Sequence, residues 1–220
     1  MKYQTKILKQ LLVAVSLSIT AFSAHAVTFT VGNILPLPGT TVAAEPQLAG
    51  SVLVDELIPF SFASDAGLIS GTVQQRVVRS SVDNTIDFYW RVLNDAESAA
   101  IGSFRVGNFV SPEINANYRT DGLGVLGPDS GHLFANGTDF NFLFSHGLAG
   151  GQGSNFFFFD TTATNYAKTA LFDLTGTGAV GISGPFAAYA PAAAVPEPET
   201  YAMLLAGLGL MGFIQRKKQS

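Results

Sequence analysis

The chain has 220 residues, no cysteine and a formal net charge of −4. The missing cysteines exclude disulfides, thiolate metal sites and thiol catalysis, so stability rests on the core. Six of the twelve basic residues lie near the two ends, which leaves residues 27–194 with six basic and fourteen acidic side chains, a net of about −8 that repels nucleic acid and anionic membrane surfaces.

Lys2, Lys6 and Lys9 form a basic start, Leu11 to Ala21 an apolar stretch, and Ala24-His25-Ala26 a small-x-small cleavage site. These are the parts of a secretory signal peptide over residues 1–26, which signal peptidase would cut so that the mature chain begins at Val27. The apolar stretch is short for a bilayer and contains serines and a threonine, which argues against a retained membrane helix.

The next segment, residues 27–186, is long enough for one domain with a sizeable core. Its periodicity is two. Thr85 to Val92 places Ile86, Phe88, Trp90 and Val92 on one face and Asp87, Tyr89 and Arg91 on the other, and Asp139 to Phe144 repeats the pattern with phenylalanines inward. Further strands are expected at Ser51–Val54, Phe60–Ala63, Gly71–Arg79, Ser103–Val110, Asn155–Phe159 and Ala170–Leu174, with Gly71–Arg79 and Thr85–Val92 forming a hairpin. Turn signals separate them, among them Val82-Asp83-Asn84, Thr120-Asp121-Gly122, Gly127-Pro128-Asp129 and Asn136-Gly137. Short strands with glycine-rich connections and no long helix indicate an all-β fold, a single antiparallel β-sandwich of which a jelly roll is one form. The run Phe156-Phe157-Phe158-Phe159 does not alternate, so it is either a strand buried on both faces or an aggregation-prone segment that needs shielding.

Signals for chemistry are sparse, and no catalytic or metal-binding residue is assigned. The G-x-G-x-x-G match at Gly122-Gly124-Gly127 runs into Pro128, and the match at Gly207-Gly209-Gly212 has no preceding strand, so neither can open a helix onto a pyrophosphate. His132 and His146 are too few for a metal site and read as ordinary surface histidines. The loop acids Asp121 and Asp129, near Asn117 and Ser130, have the oxygen chemistry of a calcium site, but solvated turn residues are the stronger reading; no cofactor is expected. A glycosidase-like pair would need two of the fourteen carboxylates brought together by the fold, and nothing singles out two. For sugar stacking, Trp90 falls on the core face, which leaves Tyr89 and Tyr118 as the aromatic candidates. The sequon Asn136-Gly137-Thr138 has the form of an N-glycosylation acceptor and is read as idle.

Ala187 to Glu199 reads as an exposed, extended linker, because Pro191, Pro196 and Pro198 fix φ and remove N–H donors. Residues 200–214 follow as an apolar run of fifteen, a transmembrane anchor of roughly 22 Å as a helix against a hydrocarbon core of about 30 Å. The span is completed if Arg216, Lys217 and Lys218, in the basic tail 215–220, reach the cytoplasmic headgroups and lock the orientation.

The order Pro196-Glu197-Pro198, apolar Tyr201 to Ile214, basic Arg216-Lys217-Lys218 resembles the PEP-CTERM sorting signal of Gram-negative bacterial surface proteins. That resemblance implies an exosortase as partner, which would recognise Pro196, Glu197 and Pro198, remove the anchor, and release or attach the protein outside after a transient stay in the inner membrane. It further implies company with exopolysaccharide and biofilm formation, and it places no catalytic residue in this chain. The expected role is therefore a non-enzymatic structural or adhesive one at the cell surface or in the matrix. A carbohydrate-binding module with a defined ligand site and an extracellular polysaccharide hydrolase with an unrecognised carboxylate pair are the alternatives.

Overall fold

The computed structural model describes residues 25–193 together with Met203, Leu205 and Ala206. Residues 1–24, the larger part of the expected signal peptide, lie outside the described residues. So do nearly all of the expected anchor 200–214 and the basic tail 215–220; Met203, Leu205 and Ala206 are helical and exposed. Among the described residues no helix is long and apolar enough to cross a membrane.

The fold is all-β. Its strands are β1 (Val27–Phe29), β2 (Ile34–Pro36), β3 (Gly50–Ser64), β4 (Gly67–Ser80), β5 (Ile86–Asn94), β6 (Ile101–Gly107), β7 (Ile114–Tyr118), β8 (Ser130–Leu133), β9 (Phe140–Leu148), β10 (Phe157–Asp160), β11 (Tyr166–Gly176) and β12 (Phe186–Pro191). They form two six-stranded antiparallel sheets, ordered β1-β7-β10-β5-β4-β3 and β12-β11-β6-β9-β8-β2. The two sheets close on a shared apolar interior in a sandwich-like arrangement.

The expected hairpin is β4–β5, with Val77 opposite Phe88 and Arg76 opposite Tyr89. Its turn is set by Asp83, whose carboxylate accepts the N–H and hydroxyl of Thr85, and by Asn84 at φ 64°. Ser51–Val54 and Phe60–Ala63 join into the single strand β3. Pro59 is tolerated between them because β3 is the edge of its sheet and the missing N–H costs no ladder bond there.

Strand β12 corrects the expected linker, which begins later than Ala187. Ala188 and Ala190 are buried against the second sheet, and Pro191 ends β12 at that sheet's edge, where a proline fits. The small side chains carry no strong strand signal.

Between the sheets, Trp90 is the hub of an aromatic interior. Its ring meets Phe104, Phe109, Phe157 and Phe159 at centroid distances of 5.4–6.4 Å. The indole N–H donates to Gln75 Oε1 at 3.3 Å, and the same oxygen accepts the N–H of Tyr189 on β12 at 3.2 Å, so one buried amide ties the two sheets.

The four-phenylalanine run is buried on both faces. Phe157 and Phe159 enter the interior between the sheets, while Phe156 and Phe158 join a second apolar cluster on the outer side of the first sheet with Leu48, Val78 and Tyr89. What buries the outer side is the segment Leu37–Ala49. It is tied down by Gly39 N–H to Asn117 Oδ1 at 2.9 Å and Val42 N–H to Asp121 Oδ2 at 2.8 Å, and it ends in the short 3-10 helix Pro46–Leu48.

Candidate functional site

The covered outer face of the first sheet concentrates the polar groups that the interior excludes. Strand alternation sends Asp87, Tyr89 and Arg91 of β5 and Arg76 and Val78 of β4 to this side, β10 adds Asp160, and the covering segment adds Glu45. Arg76 and Arg91 gather around Phe156 at one end of the face, while Asp87, Asp160 and Glu45 share the other.

At the basic end the Arg76 guanidinium lies 4.6 Å from the Phe156 ring centre and that of Arg91 lies 6.0 Å from it. Arg76 pairs with Asp55 at 2.8 Å, Arg91 donates to the Ser154 carbonyl at 3.1 Å, and Arg119 pairs with Asp121. Burial, and then the neighbouring Arg76, push the Arg91 guanidinium below its ordinary pKa. Beside this cluster runs a groove of about 370 Å³ whose lining includes Arg76, Arg119, Tyr89 and Phe156. Its rim carries Val52 and Leu123, 51% and 58% exposed. The groove offers N–H donors over an apolar wall, the chemistry that receives a carboxylate with an apolar flank.

At the acidic end Asp87 is fully buried, and burial together with the neighbouring Asp160 pushes its carboxyl up to about 9. Asp160 is also raised, by burial first and then by the charge of Glu45. The pair thus holds a proton at neutral pH, with Asp87 as the protonated partner. Tyr89 is raised well above its ordinary value by burial and then by the Asp87 carboxyl, and its hydroxyl donates to the Leu48 carbonyl at 3.1 Å. Asp87 presents no surface to solvent, unlike the open carboxylates of a sugar-cleaving cleft.

The remaining expected positions are dispersed. Tyr89 is buried, so it is not the exposed stacking platform that its place opposite the core face suggested; the covering segment closes over it. Tyr118 is half-buried, and side chains at Gly39 and Gly127 would collide with its ring. Trp90 is core, as its side of β5 implied. Asn117 is buried, holding Gly39 and His25; Asp121 holds Arg119 and Val42; Asp129 accepts the Ser145 N–H at 2.6 Å. Each of these oxygens thus has its own structural partner, and among the described residues no group of three or more His, Asp or Glu is placed to hold a metal. His132 lies on β8 beside Phe134, and His146 lies on β9.

The Gly122-Gly124-Gly127 match has a packing explanation: Gly124 adopts φ 121° against the Ser154 backbone, and Gly127 leaves room for the Tyr118 ring. Asn136 of the sequon caps its turn, its side-chain oxygen accepting the N–H groups of Thr138 and Asp139. Arg76, Arg91, Glu45 and the Asp87–Asp160 pair were not singled out by sequence reading. The hairpin register alone would have set Arg76 beside Tyr89, whereas Glu45 comes from a segment with no periodic pattern.

Ala24, Pro196, Glu197, Pro198, Arg216, Lys217 and Lys218 lie outside the described residues. Residues 194–218 match the family model of the PEP-CTERM protein-sorting motif. The chain therefore carries a PEP-CTERM motif at its C-terminal tail, which implies exosortase-dependent sorting through the membrane towards the cell surface. No curated protein and no solved structure matches the chain.

Proposed function

We propose that this is an exported, non-enzymatic β-sandwich protein of the cell surface or extracellular matrix of a Gram-negative bacterium, structural or adhesive in role. In this reading signal peptidase removes residues 1–26, the tail holds the body at the inner membrane, and an exosortase acting at Pro196-Glu197-Pro198 frees it for the exopolysaccharide matrix. The observation that carries the reading is the sorting motif at residues 194–218. The test is intact-mass measurement on surface, supernatant and inner-membrane fractions of the native host. Loss of both ends in the outer fractions is expected, and the double variant P196A/P198A should stay unprocessed in the inner membrane. Normal release of that variant would overturn the reading.

A second reading, a carbohydrate-binding module, is favoured by one feature: the groove of about 370 Å³ flanked by Arg76 and Arg119 in a body of net charge about −8. A sugar acid suits it better than a neutral sugar, because the available contacts are guanidinium donors and aliphatic rims rather than an open aromatic ring. Titration with carboxylated and neutral oligosaccharides separates the cases. Saturable binding of the carboxylated series, lost in R119Q, is the expected result under this reading, and equal or absent binding of both series would dismiss it.

A further inference from the structure

Glu45 belongs to the segment over the first sheet and is only 2% exposed. Its Oε1 accepts the backbone N–H of Ala26 at 2.7 Å, while its Oε2 has no hydrogen-bond partner among the described residues. A buried carboxylate with one hydrogen bond is poorly compensated for lost hydration. The groups near it from the elements around it are mostly acidic: Asp160 on β10, which the charge of Glu45 raises, then Asp87 on β5 and Asp83 in the β4–β5 turn, both felt by Asp160 or its partner. Arg119 is engaged by Asp121 and the Leu48 carbonyl, and Arg79 donates to the Asn84 carbonyl in the turn that holds Asp83. The remaining basic neighbour is His25, whose Nδ1 lies 3.7 Å from the Glu45 carboxylate on a ring 65% exposed.

Both groups that serve Glu45 from the start of the chain, the Ala26 N–H and His25, precede the expected cut between Ala26 and Val27. Removing residues 1–26 takes away the one hydrogen bond of a buried carboxylate. It also takes the His25 carbonyl to which buried Asn117 donates at 3.1 Å. Hydrolysis of the Ala26–Val27 peptide bond consumes one water, leaves a carboxylate on the departing leader and creates an α-ammonium on Val27. That nitrogen is the next backbone nitrogen after the one Glu45 already holds, and strand β1 fixes it by pairing Val27 with Ala116.

We propose that Glu45 is the docking site of the mature amino terminus: once the leader is gone, the α-ammonium of Val27 takes the carboxylate that the Ala26 N–H occupies in the uncut chain. The inference rests on the export reading above. An ammonium brings three donors and a positive charge where the amide brought one donor, so the free Oε2 and the acidic surroundings both gain a partner. Leader removal then completes the polar contacts of Glu45. In the uncut chain Glu45 stays half satisfied.

The experiment uses the processed protein purified from its native host. Intact mass identifies the first residue, and the pH dependence of α-amine acetylation, followed by mass spectrometry, gives the titration of that amine. The expected result is a Val27 start whose α-amino pKa lies about one unit or more above the ordinary 7.7–8.0, a tenfold loss of free amine at neutral pH, restored to ordinary in Glu45→Gln. The milder Glu45→Asp should fall between. An ordinary titration at Val27 in the wild type overturns the docking and leaves export intact, and this holds even if Glu45→Gln does not fold. A raised value that survives in a folded Glu45→Gln also overturns it. Any first residue other than Val27 overturns the docking, and one at or before His25 overturns the leader cut with it.

Discussion

The two sides of the first sheet are built from the same strands and solve opposite problems. Inward, Phe88, Trp90, Val92, Phe157 and Phe159 face only apolar neighbours and one tethered glutamine. Outward, the alternate positions Asp87, Tyr89, Phe156 and Phe158 are also buried and Asp160 is half-buried, but they bring carboxyls into a space with few donors. Dry packing supplies stability on one side. On the other, burial encloses groups whose charge depends on pH and on processing, so a change of equal size should act differently on the two sides.

The largest expected effect comes from the inner side. Trp90→Ala empties the hub that meets four phenylalanine rings and leaves Gln75 without its indole donor, so a loss of about 5 kcal/mol is expected, the upper end for such truncations. Phe158→Ala removes a side chain just as buried but roofed by a loop segment that can settle into the gap, so about 3 kcal/mol is expected. Urea unfolding of both variants measures the difference; equal losses would mean that the covering segment is as rigid as the second sheet.

The same contrast explains how much could be read from the sequence. Alternation over Ile86–Val92 and Phe140–Phe144 placed the inner face, the hairpin and Trp90 correctly, because inward positions obey one rule: apolar at every second residue. The non-alternating phenylalanines left two readings open, and the structure selects burial on both faces. The outer face was not legible, since Tyr89 and Asp87 carry the same alternation whether solvent or a loop lies over them. Strands β1, β2, β7, β8 and β12 are three to six residues long, too short for a period to declare itself, and β7 and β12 are also rich in asparagine or alanine. The tail was legible from its own residues, because a sorting signal must be read by an enzyme as linear sequence before any fold is consulted.

A third prediction turns on the buried proton. The Asp87 carboxyl moves from an ordinary 3.8 to about 9 on folding, so between those values the native state holds a proton that the unfolded chain has released. Stability should therefore fall as pH rises through that window and level off above it. Asp87→Asn keeps a donor towards Asp160 and carries no charge at any pH, so its stability should fall much less between pH 5 and 9. Denaturation midpoints across the range test this, and a variant as steep as the wild type would move the proton elsewhere. The inner-side variant Trp90→Ala should keep the wild-type slope while being less stable throughout.

The smallest effect separates charge from packing at the basic end. Arg76 is partly exposed, pairs with Asp55 and lies over Phe156, so Arg76→Gln should cost about 1 kcal/mol. If the ion pair dominates, the loss should shrink at 1 M salt and be matched by Asp55→Asn, with the double variant no worse than either single one. If the contact with Phe156 dominates, the loss should persist in salt and Asp55→Asn should be nearly silent. The second outcome is expected, because Arg91 also lies near this ring, and two guanidiniums held near one aromatic ring repel each other unless the ring offsets the repulsion. Phe156 would then be the element that lets a body poor in cations keep two of them together.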